Sequence, residues 1–171
     1  MVRKNKYKWL FSLIARQIPW ISCFITLILS FIIPPYHNVK ATLVLIPIFF
    51  WGMEKVKSFD FSFIMLFGFI QDFLDGTQFG FNIFIFLSIY FIVYYQKFFP
   101  LDESFAFSYL AFTVLTFILI LLKYVVISGM FIENINFFNI LISWAILLLC
   151  YPIFYWILKK IYKRIVGKYN A

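Results

Sequence analysis

Residues 59–98 read FDFSFIMLFGFIQDFLDGTQFGFNIFIFLSIYFIVYYQKF, two apolar runs around one polar break, Asp75-Gly76-Thr77-Gln78. Each run, Phe59 to Leu74 and Phe79 to Phe98, comes close to the roughly 20 helical residues needed to cross a hydrocarbon core of about 30 Å. The break has turn chemistry, because Asp-Gly joins a side chain that bonds nearby backbone to a residue free to take positive φ. A tight helical hairpin is the expectation.

The same reading extends outward in both directions. Upstream lies an apolar run from Ile18 to Ile33, stopped by Pro34-Pro35, since proline lacks a donor and clashes with the preceding turn. A polar link, Tyr36 to Lys40, leads to a second run, Ala41 to Met53. This run is so short that it must tilt little, borrow flanking residues or thin the bilayer. Downstream, past Pro100, Asp102 and Glu103, a fifth run covers Phe105 to Ile127. Ser128-Gly129 resembles a turn, and a loop with Glu133, Asn134 and Asn136 precedes the sixth run, Phe138 to Leu158.

Charge supports this count. Hydrophobic residues make up 64% of the 171 residues and charged ones 13%, about half the share that clothes an ordinary soluble domain. The charges are also segregated: Arg3, Lys4, Lys6, Lys8 and Arg16 precede the first run, and Lys159, Lys160, Lys163, Arg164 and Lys168 follow the last. Six crossings with both ends inside put Lys55, Lys57 and Lys97 on the inner side as well, leaving Lys40 and Lys123 outside. That asymmetry is the positive-inside pattern. An odd number of crossings would export one basic terminus. The expected fold is therefore all-α, a polytopic integral membrane protein with about six transmembrane helices and both termini cytoplasmic. It forms a single domain over residues 1–171: a basic N-terminus at 1–17, a six-helix body at 18–158 and a basic tail at 159–171.

Several function classes fall away. A nucleic-acid partner is not expected, since the basic residues flank apolar spans instead of forming one face. A secretory signal would end in a small-residue cleavage site, which the first run lacks. Cys23 and Cys150 lie inside apolar runs and read as small apolar residues. No cofactor or metal is expected: the 26 Phe reflect residue usage, and His37 stands alone in a loop. The nucleophile motifs and glycine loops of enzymes do not occur.

The densest polar cluster is Gly68 to Gly80, with Gln71, Asp72, Asp75 and Gly76 between. Asp72 and Asp75 share a helix face at i, i+3 spacing, near the outer end of the third helix. Carboxylates within a membrane segment cost about 2.5–3.5 kcal/mol at the centre and mark functional candidates. They contact an ion, proton or partner, or else Asp72 caps the outer loop or bonds the N-terminus of the fourth helix. Gly68 and Gly80 would let the two helices approach closely. Lys123 is a candidate buried catalytic or counter-ion lysine, or else, four residues from the end of the fifth run, it snorkels to the interface, with Glu133 within reach across the outer loop. The stretch Arg3 to Arg16, with Trp9, Leu10, Phe11, Leu13 and Ile14, reads as an interfacial helix or an orientation signal.

The run GFIQDFLDGTQFG, with Gly68, Asp72, Gly76 and Gly80 at its fixed positions, resembles the G-x-x-x-D-x-x-x-G-x-x-x-G segment of the rod shape-determining MreD family. Chain length, basic ends and the short second span are also similar. Departures occur at Val39-Lys40-Ala41, where the family often has Pro-Asp, at Gln78, where Pro is common, and at Phe79-Gly80, where Leu-Gly is frequent. The resemblance implies a non-catalytic, multi-pass component of the bacterial inner membrane that works in the elongation machinery of lateral peptidoglycan synthesis. Its partners there are MreC, the actin-like MreB, RodA and a class B penicillin-binding protein, all at the lipid bilayer. The family also resembles the membrane substrate-binding subunits of vitamin transporters, which keeps a carrier as the second expectation.

Overall fold

The computed structural model describes residues 3–32, 42–54, 56, 59–76, 79–95, 104–130 and 137–166, with backbone alone at 3–16, 126–130, 139, 165 and 166. Among the described residues the fold is all-α. The helices are α1 (Arg3–Ile32), α2 (Leu45–Met53), α3 (Phe61–Asp75), α4 (Phe81–Tyr95), α5 (Phe105–Met130) and α6 (Phe137–Ile161), which passes into a π-helical turn, Tyr162–Val166.

The shortest helix organises the bundle. Every residue of α2 from Leu45 to Gly52 is buried, as befits a helix that is apolar all round. It packs against α1, α4 and α6, and its Phe49 ring meets Phe112 of α5 at 5.2 Å. Phe112 in turn stacks on Tyr151 of α6 at 4.3 Å, so aromatic contacts tie α2, α5 and α6 into one core. Two side-chain bonds fix the neighbours. The Trp51 indole N–H donates to Ser22 Oγ of α1 at 2.8 Å, and the Tyr90 hydroxyl of α4 donates to the Phe59 carbonyl at 3.1 Å.

Beside the apolar core lie several buried polar groups, and many large apolar side chains lie outside. Gln71, Asp72 and Asn82 are buried, while Phe73, Phe84 and Trp156 are 73%, 62% and 66% exposed. The outer faces of α1, α3, α4, α5 and α6 all present large apolar side chains, an area far beyond the single apolar patch of an ordinary monomer. Phe105–Val125 and Ile140–Arg164 are long and apolar enough to cross a membrane, and Gln17–Ile32 and Phe81–Tyr95 are shorter apolar helices.

Four boundary expectations change. Helix α2 begins at Leu45 instead of Ala41, and nine residues reach only about 14 Å at 1.5 Å per residue. The division at residue 17 has no counterpart in the backbone, because α1 runs unbroken from Arg3 to Ile32 through Pro19. Ser128-Gly129 is not a turn: α5 continues to Met130, a glycine being tolerated near a helix end at modest cost. The basic tail expected from residue 159 stays helical through Ile161 and the π turn to Val166, where lysines suit the negative end of the helix dipole.

Candidate functional site

The polar site forms where α3 turns into α4. At the end of α3, Gly76 takes the left-handed conformation, φ 66°, and its N–H bonds the Asp72 carbonyl. This is the glycine-terminated helix end that needs no Cβ. Gly80 then starts α4: its carbonyl accepts the Phe84 N–H at 2.9 Å, and its φ is 97°. A residue at such a helix start usually lends a side chain to cap the free N–H groups. Glycine has none to lend.

Asp72 does this from the preceding helix. One carboxylate oxygen, Oδ2, accepts the Gly80 N–H at 2.7 Å, and Oδ1 accepts the Asn82 N–H at 2.8 Å. Two of the orphan donors of α4 are thereby satisfied, and the negative charge meets the positive end of the α4 dipole. These charge-assisted bonds offset the desolvation of a carboxylate that is fully buried.

Asp75, one turn on, organises the remainder. Its Oδ1 accepts Gln71 Nε2 at 2.9 Å and its Oδ2 accepts Asn82 Nδ2 at 3.4 Å. The Lys123 ammonium of α5 lies 3.5 Å from the same Oδ2. Lys123 therefore does not snorkel outward: it reaches inward to Asp75 and ties α5 to the hairpin. Glu133, its expected partner, lies outside the described residues, as do His37, Thr77 and Gln78.

The expected close approach occurs at only one of the two glycines. A Cβ on Gly68 would stand 2.6 Å from Ile83 Cα and 2.8 Å from Ile83 N, so α4 backbone lies directly against it. At Gly80 nothing lies within 4 Å. Its contribution is conformational, because positive φ is strained for residues with a Cβ.

Gln71, Asp72, Asp75, Gly68, Gly76 and Gly80 thus belong to one structure, and sequence reasoning missed one further member, Asn82, and the partner of another, Lys123. Asn82 gave a signal, a lone amide two residues past a glycine in an apolar run. Lys123 stood out as a lysine in an apolar run, but nothing local pointed to its partner, 48 positions earlier in sequence. The cluster carries two carboxylates against one ammonium, with the α4 dipole compensating Asp72. One acceptor is left over: the buried Gln71 Oε1 has no hydrogen-bond partner. No group of three His, Cys, Asp or Glu suited to a metal occurs among the described residues, and Cys23 and Cys150 are free thiols.

No protein-family model, curated protein or solved structure matches the chain.

Proposed function

We propose that this protein is a multi-pass component of the bacterial inner membrane, crossing it six times with both termini in the cytoplasm. We read its work as non-catalytic scaffolding of the MreD kind, holding an MreC-like periplasmic protein and other members of the elongation machinery during lateral peptidoglycan synthesis.

The observation that carries this reading is the commitment of Asp72. A carboxylate that serves as the cap of α4 through both oxygens is a shaping device, and the most prominent acid of the motif is spent on holding a hairpin. Support for the membrane comes from the apolar outer faces of five helices, which hydrocarbon solvates and water does not. The short α2 fits the same picture. Its irregular approach at Leu43 and Val44 is enclosed by protein, the circumstance in which non-helical backbone is tolerated at membrane depth.

Asp72→Ala and Gly76→Leu are expected to weaken capture of the MreC-like partner, and depletion of the protein is expected to round rod-shaped cells. Normal rods on depletion, with a nutrient requirement instead, would overturn the scaffold. That outcome is the one expected of the second reading, a substrate-binding carrier subunit. The unpaired Gln71 Oε1 in a buried polar cluster is the observation in its favour.

A further inference from the structure

The exposed residues of α6 recur three or four positions apart: Leu149, Ile153, Trp156 and Ile157, then Lys160, Lys163 and Arg164 in the last turn and the π turn after it. Residues so spaced share one face of a helix. The stripe is apolar for about 12 Å, from Leu149 to Ile157 at 1.5 Å per residue, and cationic beyond. It changes character at Trp156, a residue type that collects where hydrocarbon meets headgroups.

The cations on this face differ from their neighbour. Lys159 is committed within the fold, its Nζ donating to the Tyr155 hydroxyl at 2.9 Å and lying over the Tyr155 ring. Among the described residues, no carboxylate pairs with Lys160, Lys163 or Arg164. The α6 dipole accounts for basic residues in a last turn, but not for their alignment with the apolar stripe. The Tyr162 ring meets Phe50 and Trp51 of α2 at 6.4 and 6.3 Å, which holds the π turn against the bundle. Helix α1 packs on that turn too.

We infer that this stripe is a binding site for an anionic glycerophospholipid, its phosphate held by Lys160, Lys163 and Arg164 and an acyl chain lying along Ile157, Ile153 and Leu149. Charge complementarity chooses the headgroup, since guanidinium and ammonium groups are the natural partners of phosphate oxygens. The apolar half chooses the rest of the molecule. A soluble anion would leave it uncovered, and an acidic protein segment would have no use for an aligned hydrocarbon track. The inference rests on the membrane reading above, though not on the role in cell shape.

The test is native mass spectrometry of the full chain, released from detergent after titration with phosphatidylglycerol or with phosphatidylcholine of the same acyl chains. Preferential retention of phosphatidylglycerol is expected, falling by about fivefold in affinity for each cation removed in K160Q, K163Q, R164Q and their combination. The charge-preserving K160R/K163R/R164K should keep the preference. Equal retention of both lipids by the wild type overturns the proposal, as does a preference that survives the triple glutamine variant. Displacement of the lipid by soluble glycerol phosphate overturns it as well, revealing a simple phosphate site. So does loss of MreC-like partner capture in that variant with lipid preference intact, which marks a protein-binding surface. Release of the protein from membranes by alkaline carbonate would instead sink the membrane reading itself, so the two failures are told apart.

Discussion

Placing a methyl group on Gly68 tests the hairpin at its tightest point. In Gly68→Ala the new Cβ would meet Ile83 Cα at 2.6 Å, where ordinary contact begins near 3.4 Å. Both obstructing atoms nearest to it are backbone, so a rotamer change gives no relief. Helix α4 must move away by about 0.8 Å. The same movement stretches the two bonds from Asp72 to Gly80 and Asn82, now 2.7 and 2.8 Å, to about 3.5 Å, where such bonds are weak. Overpacking costs about 1–3 kcal/mol, and weakening two charge-assisted bonds adds about 1–2 kcal/mol. Against this stands a gain of about 1 kcal/mol from replacing glycine by alanine inside a helix. The net loss is about 1–4 kcal/mol, a fall in Tm of about 2–16 °C for a chain of this size.

Thermal unfolding of the purified protein in detergent, followed by circular dichroism, measures it. Gly52→Ala is the comparator. Its Cβ would touch only side-chain atoms, Val93 Cγ1 at 3.4 Å and Tyr90 Cδ2 at 3.6 Å, so its stability should be unchanged or raised by up to about 1 kcal/mol. A Gly68→Ala protein that melts within about 2 °C of the wild type would refute the reasoning, as would equal losses in the two variants.

Asp72→Asn keeps the shape but leaves one acceptor oxygen for two N–H groups, and should cost about 2–4 kcal/mol. Hydrogen exchange at Gly80 and Asn82 should quicken, and unchanged exchange would contradict the cap. Asp75 and Lys123 should couple by about 1–2 kcal/mol in a cycle of Asp75→Asn, Lys123→Met and the double variant. This value is discounted from that of a fully buried pair because the Lys123 side chain is 20% exposed; a coupling near zero would remove the tether to α5. Ser22→Ala strips the acceptor from the buried Trp51 indole and should lower stability by about 1–3 kcal/mol, measured in the same melts, whereas Trp51→Phe in that background should cost little more through this bond.

Much of this architecture was legible along the chain because helices announce themselves locally. Apolar length, proline stops and the Asp75-Gly76 turn each depend on a few adjacent residues, so the α3–α4 hairpin and the bodies of α5 and α6 emerge close to their expected limits. Where local cues competed, reading failed. The basic stretch before Ile18 reads as a separate segment by its composition, yet α1 runs unbroken through it and through Pro19. Ser128-Gly129 had the composition of a turn and lies in α5. Within the site, the i, i+3 spacing of Asp72 and Asp75 was visible, but spacing gives no hint that one acid turns to α4 backbone and the other to α5.

The amino-acid sequence by itself determined that the chain is helical, apolar and basic at its ends, because those properties follow from residue identity and short-range spacing. Tertiary structure alone decided what each polar group does. The environment of Asp72 is made by backbone N–H groups eight and ten residues ahead, and that of Lys123 by an acid on another helix. It also decided that the weakest helical signal, α2, occupies the centre. A nine-residue helix cannot stand alone, and it persists because the neighbouring helices bury it on every side.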